Sequence, residues 1–377
     1  MQSRIIISLL ILCVLATAAL AAEPIKIGGL FDLTGKAQNV GITSRDVARM
    51  IVDRINLAGG VNGRKIELVI ADAQSDPSQA AIALQRLIQK DNVIAVIGPT
   101  TTGAAMACLH IAETAHVPMV ACVGGDAPVE PAHQWVFKTP QKTSTAVAKL
   151  FSYMQAHHIA NIGLLGAADK FGQEGNAMLK KLAGNYHITI HAEESFNPTD
   201  VDMTVPLSKV AAAHPQAIVV WTIGPAGAII AKNAKAARIT IPLFQCHGQP
   251  DADYLKFAGE AANGTTMPAT KLMLGAQLPK DDPQRAGVLE FIKEFNARHI
   301  GEVGTHSGYA WDAVQIVYHA LKAAGTNPEA LRKAIENTKN YVGVSGIYNM
   351  SPTDHCGLAE NSMVMVRVEN GKWVPAK

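Results

Sequence analysis

The sequence predicts an α/β protein of two lobes facing each other across a cleft. Three observations predict it. Short apolar strand runs alternate with helices of 3.6-residue periodicity, the alternation restarts near residue 140, and a helical segment resumes after residue 280. Open α/β sheets hold ligands beyond the carboxyl ends of their strands, so two such lobes enclose a binding site.

Ile25 to Leu33 reads as the first strand, ended by the turn Thr34-Gly35-Lys36. The helix after it carries Val47, Met50, Ile51 and Ile55 on one face and closes at Gly59-Gly60. Asn62-Gly63 turns the chain into a strand over 65–71. Asp76-Pro77 opens the next helix, with Ile82, Leu87 and Ile88 expected on its buried face. Val93 to Gly98 is a further strand, apolar throughout as buried parallel strands are. Helix 103–115 and strand 117–123 complete the first run.

The second run comprises helices 143–157, 172–183, 202–213 and 226–236, alternating with strands 162–166, 188–193, 217–222 and 242–245. Gly264 to Pro268 reads as a return crossing, and 284–338 is helical again. Tyr309-Ala310-Trp311 opens a helix to Ala324, and Met363 to Val368 is a last strand before the turn Asn370-Gly371. The expected lobes are 24–139 plus 270–362 and 140–269 plus 363–377, joined by several crossings that act as a hinge.

Arg4, the apolar run Ile5 to Leu15 and the pattern Ala19-Leu20-Ala21 predict a signal peptide over 1–21, cut after Ala21, and a periplasmic mature chain. Bulky Leu12 before Cys13 argues against a lipidated cysteine. Lysine plus arginine number 33 against 31 acidic residues, so nothing resembles the basic footprint of nucleic-acid binding. Cys108, Cys122, Cys246 and Cys356 are too widely spaced for a CxxC metal knuckle and are expected as buried free thiols.

No dinucleotide, Walker A, zincin or nucleophile-elbow motif occurs, so neither cofactor nor catalysis is expected. His187 and His191 are expected to share a strand face, but no Cys or carboxylate stands in register to complete a metal site. Cys122 and Cys246-His247 fall at strand ends facing the cleft, which suggests a Cys/His nucleophile. These residues belong to opposite lobes and would meet only on closure. Thr100-Thr101-Thr102 lies between a buried strand and a helix start, where hydroxyls, backbone N–H groups and the helix dipole attract an anion.

In order along the chain, "PIKIGGLFDLTG", "DAQSDPSQA", "VIAVIGPTTT", "VPMVACVGG", "AGEAANGTTMP" and "GYAWDAVQIV" resemble the periplasmic binding proteins of branched-chain amino acid ABC importers. The likeness covers essentially the whole mature chain. It implies a type I periplasmic binding fold, two Rossmann-like lobes joined by a multi-strand hinge. It also implies a small-molecule ligand, closure upon it, a membrane permease as partner and a monomeric shuttle. A receptor subunit that senses a ligand is the alternative of another class.

The resemblance also places the site. Thr102 matches the hydroxyl that meets the ligand's carboxylate, and Val123 and Gly125 match a backbone carbonyl and a second hydroxyl, the latter missing here. Asn39 lies where relatives put an aromatic residue, Phe171 where they often have Tyr, and Thr222 and Gly224 where they approach the ligand's amino group. Tyr309 is placed at the cleft rim, whereas Trp311 is expected in the core. His247 of "FQCHGQ" stands where amino-acid binders have a Glu that pairs with the ammonium. Protonated histidine repels an ammonium, and this feature, together with "SPTDHCGL", resembles the subgroup associated with aromatic acids such as benzoates. Branched-chain amino acids remain the alternative ligands.

Overall fold

Five strands form a parallel sheet in the order β2-β1-β3-β4-β5: Ile25–Phe31 (β1), Ile66–Asp72 (β2), Val96–Ile97 (β3), Met119–Ala121 (β4) and Val136–Lys138 (β5). The computed structural model describes residues 23–377, so the expected signal peptide lies outside the described residues. Helices Gln38–Leu57 (α1), Pro77–Gln89 (α2) and Thr102–Ala115 (α3) connect the strands. Val47, Met50, Ile51 and Ile55 of α1 are buried, as their spacing predicts. Asp76 caps α2 by accepting from the Ser78 and Gln79 N–H groups. The buried face of α2 is Ala80, Leu84 and Leu87, whereas Ile82 is exposed. Two residues turn a helix by roughly 200°, which carries Ile82 away from the stripe containing Leu84.

The second sheet has seven strands, in the order 372–375, 363–369, 266–270, 243–245, 217–221, 161–167 and 189–196. Asn161–Ala167 (β6), Thr189–Phe196 (β7), Ala217–Trp221 (β8), Leu243–Gln245 (β9) and Thr266–Thr270 (β10) run parallel. Between them lie Thr143–Ala156 (α4), Lys170–Ala183 (α5), Thr204–Ala212 (α6), Ala226–Ala236 (α7) and Ala252–Ala258 (α8). Tyr341–Val342 (β11) and Ile347–Tyr348 (β12) form a small hairpin. Met363–Glu369 (β13) and Lys372–Pro375 (β14) add an antiparallel edge to the second sheet.

The segment Gly264 to Pro268 is therefore not a crossing. Thr266 pairs with Phe244, so the segment belongs to an inner strand of the second sheet, and the chain leaves only after Thr270. His187 also departs from its expected place. Its φ of 56° ends a short 3-10 turn, β7 starts only at Thr189, and His187 and His191 are both exposed.

Arg285–Ala297 (α9), Thr305–Ala324 (α10) and Pro328–Glu336 (α11) follow β10, and α10 packs along α1 of the first lobe. The chain thus passes between lobes after β5, after β10 and before β13. Trp311 is a core residue, 5.0 Å edge-on to Phe291 and covered by the Arg54 guanidinium at 4.4 Å.

Candidate ligand-binding site

The carboxyl ends of both sheets face one cleft, and the lobes touch across it. Gly124, just beyond β4, lies against the second lobe, where a Cβ would stand 2.7 Å from Phe171 and 3.0 Å from His247 Nε2. Lys36 of the first lobe pairs with Asp169 of the second at 3.5 Å. A third contact is made by Glu174 of α5. Its carboxylate accepts from the backbone N–H groups of Asp126 and Ala127, the latter at 3.2 Å, and from the Thr143 hydroxyl at 3.1 Å.

Behind that contact lies an ion pair. Lys138, the last residue of β5, is wholly buried and donates to the carbonyls of Gly124, Gly125 and Gln141 and to the Asp126 carboxylate at 3.2 Å. Asp126 also accepts from the Thr143 and Ser144 N–H groups at the start of α4. One buried pair therefore fixes both the loop after β4 and the helix that opens the second lobe.

Inside the contact is a chamber. The first lobe contributes Thr100, Thr102, Cys122 and Gly124, and the second contributes Phe171, Ile223, His247 and Gly248. His306 and Tyr309 of α10 close it. Thr102 is the first residue of α3, and its hydroxyl accepts from the Gly125 N–H at 3.2 Å rather than capping its helix. Thr100 donates to the buried Asp32 at 2.7 Å. Phe171 follows the Asp169 cap of α5 and holds its ring 6.0 Å from Trp221 and 5.7 Å from His247.

His247 is fully buried, and neither ring nitrogen has a hydrogen-bond partner among the described residues. Burial drives it down to about 3, with the Lys138 and His306 charges acting in the same direction and the neighbouring Gly124 backbone opposing them. His306 gives one ring nitrogen to the Gly248 carbonyl at 3.1 Å, leaves Nδ1 free, and is pushed down to about 4 by burial. A neutral imidazole with an unused nitrogen is suited to share a proton with an oxygen ligand.

The other expected residues are distributed around this chamber. Val123 turns its side chain into a small core with Ala105 and Ala121. Gly125 contributes its N–H and sits too close to Thr102 and Glu174 to carry a side chain without movement. Thr222 is buried beside the chamber, with its carbonyl taken by the Cys246 thiol and Gln249, while neighbouring Ile223 faces inward. Gly224 and Asn39 meet in an adjoining recess that includes His306 and Asp251. Tyr309 presents its ring, while its hydroxyl donates to Gln141 at 3.1 Å. Asp354, His355 and Cys356 stabilise a crossing: His355 stacks on Phe137 at 4.2 Å and Cys356 donates to the Pro140 carbonyl.

The sequence reading missed His306, Ile223, Lys138 and Glu174. The glycine at 304 before a run of helical spacing was the one local sign that α10 starts early enough to carry His306 inward. Among the described residues no group of three His, Cys, Asp or Glu is placed to hold a metal ion, and no helix is long and apolar enough to cross a membrane.

A family model described as "Periplasmic binding protein" matches residues 24–372. The leucine-, isoleucine-, valine-, threonine-, and alanine-binding protein of Pseudomonas aeruginosa is 26% identical over 325 residues, covering 85% of this chain and 84% of that protein. Leu/Ile/Val-binding protein homolog 3 of Brucella melitensis is 24% identical over 383 residues, covering 99% of each. Among solved structures, the substrate-binding protein LivJ of a branched-chain amino acid transporter from Streptococcus pneumoniae, in complex with isoleucine, superposes with a TM-score of 0.83. The two are 25% identical over 94% of this chain and 99% of that one. An extracellular ligand-binding receptor from Rhodopseudomonas palustris shares the fold at a TM-score of 0.87 and 22% identity, over 94% and 99% of the two chains.

Proposed function

The chain belongs to the periplasmic binding protein family, and on that premise we propose that it captures a small carboxylate-bearing hydrophobic ligand, an aromatic acid such as a benzoate, for an ABC importer. It works in the periplasm as a monomer without catalytic activity. Lobes 24–139 plus 270–362 and 140–269 plus 363–377 close over the ligand, and the closed form docks on a membrane permease. The carboxylate lies at Thr102 and the Gly124-Gly125 loop. Phe171, Ile223 and Tyr309 provide apolar walls, and His247 comes down from the second lobe. Contacts made only after closure are what shift the open–closed equilibrium.

The observation that carries the ligand class is the lining of the chamber, which contains the orphaned His247 and no carboxylate. An ammonium enclosed there would lack an anionic partner, and an unpaired buried charge is costly. The second reading, a branched-chain amino acid, is favoured by the names of the relatives and by the isoleucine bound in the Streptococcus structure.

Thermal shift after partial unfolding and refolding, which strips carried-over ligand, separates the two. One panel holds Leu, Ile, Val and Phe, and the other holds benzoate, hydroxybenzoates and cinnamates. A ligand at 100 times its Kd adds about 2.7 kcal/mol. Stabilisation by aromatic acids alone supports the first reading, and stabilisation by Leu or Val replaces it with the second.

A further inference from the structure

Within the carboxylate-ligand reading, on which this inference rests, we propose that the cleft takes up its ligand together with one proton, and that His247 holds that proton. The charges around the chamber lead there. Lys138 of the first lobe is close enough for its charge to act on His247, but its ammonium is already spent on Asp126 and three carbonyls. At the mouth, Lys36 is paired with Asp169, and Lys170 beside them is exposed to solvent.

The acidic groups around the chamber are held by neutral donors. Glu174 rests on neutral N–H and hydroxyl donors beside Thr102, and Asp32 stands behind Thr100. Asp251 lies in the recess beyond His306, where burial pushes it up to about 7. The thiols of Cys122 and Cys246, pushed up to about 12 by burial, supply no charge. A ligand carboxylate docked at Thr102 therefore enters a region whose buried cation is already committed and whose free ammonium, Lys170, stands in solvent. The group that can answer it is His247, whose two ring nitrogens are buried without partners. His306 has only Nδ1 free, because Nε2 is bonded to the Gly248 carbonyl.

The balance is simple. A proton from solvent adds to a ring nitrogen of His247, no bond in the ligand breaks, and the ligand's single negative charge is matched by one positive charge. In the open cleft an exposed histidine titrates near its ordinary value of about 6.5. Above that pH each capture draws close to one proton from solvent, and affinity falls about tenfold per pH unit. Below it the open form already carries the proton, and uptake fades.

The test is titration calorimetry of the full mature protein with benzoate at about pH 8, in phosphate and in Tris, and again at about pH 5.5, in MES and in Bis-Tris, each pair differing in ionisation enthalpy. The expected result is uptake of close to one proton per ligand at the higher pH, little at the lower, and loss of uptake in His247→Gln with uptake retained in His306→Gln. Equal heats in both buffers at the higher pH, with benzoate bound, overturn the proposal while leaving the ligand class standing. Uptake lost only in His306→Gln overturns the assignment to His247. Failure of benzoate to bind, with Leu binding instead, overturns the ligand class and this inference together. The pH slope of the unmodified protein reads the same effect should the His247 variant fold poorly, and a flat slope overturns it.

Discussion

The Lys138 ammonium lies 3.2 Å from the Asp126 carboxylate, and both side chains are buried where the chain leaves the first lobe. Removing one member strands the other in the interior, which costs about 3–5 kcal/mol. Lys138→Met and Asp126→Asn are each expected to lower the unfolding free energy by that amount, read from urea denaturation. The double variant should lose much less than the sum, because neither leaves a lone charge. Additive losses would show that the two groups are supported separately.

Glu174 is expected to act as the latch of the closed form. Its carboxylate belongs to α5 of the second lobe, yet two of its partners are the N–H groups of Asp126 and Ala127 in the first. Opening exchanges those bonds for water, so Glu174→Gln weakens closure more than folding. A hydrogen bond to a charged group contributes about 1.5–3 kcal/mol. Ligand affinity should fall about tenfold or more, and small-angle scattering should find the ligand-free variant more extended. An unchanged Kd would assign the contact to the hinge alone.

The alternation of strand and helix was legible because burial imposes periods of 2 and 3.6 on apolar residues whatever the partner. The site was legible only at element ends such as Thr102, Phe171 and His247, where a loop position implies exposure to the cleft. Lys138 and Glu174 gave no such sign. Lys138 closes a strand and reads as a surface cation, and its meaning comes from Asp126 and three carbonyls that a turn of the chain brings back to it. Glu174 reads as a solvated helix face, and only closure gives it the two partners on the first lobe. The strand β14 escaped because only one of its four residues, Trp373, is buried, too few to set a period.

Acid should open the empty cleft. In the closed form burial holds His247 down to about 3 and His306 to about 4. The open form returns each toward about 6.5 and so binds more protons in between. The closed state therefore has its full stability above about pH 6.5 and loses it as pH falls toward 3, by about 1.4 kcal/mol per unit for each ring. Scattering at about pH 8 and about pH 5 should show the ligand-free protein expanding at the lower value. In His247→Gln the expansion should be smaller.

The four thiols should ignore a disulfide probe until the protein unfolds. All are buried, with Cys108, Cys122 and Cys246 pushed up to about 12 and Cys356 to about 11 by loss of solvent. The thiolate is the reactive form, so these values suppress attack at neutral pH. Four thiols titrating together in step with the loss of ellipticity is the expected outcome. One fast, selective thiol at Cys122 or Cys246 would revive the nucleophile reading.

Restoring a hydroxyl at position 125 should weaken binding rather than strengthen it. A Cβ on Gly125 would lie 2.7 Å from Thr102 Oγ1 and 2.9 Å from Glu174 Oε2, and would also press on the Thr102 methyl. Two of these neighbours are on the first lobe and move with residue 125. The third arrives only when the second lobe closes, so the added atom obstructs closure as well as crowding Thr102. Gly125→Ser is therefore expected to raise the ligand Kd by at least tenfold, about 1.4 kcal/mol, although it supplies the donor that the resemblance assigns to this place. In a Glu174→Ala background, which has already lost the latch, the further loss caused by Gly125→Ser should be smaller, because the obstruction contributed by the second lobe is gone. The check is a calorimetric Kd for the two single variants and the double. Tighter binding by Gly125→Ser alone would mean that Glu174 moves aside at little cost and that the hydroxyl reaches the ligand.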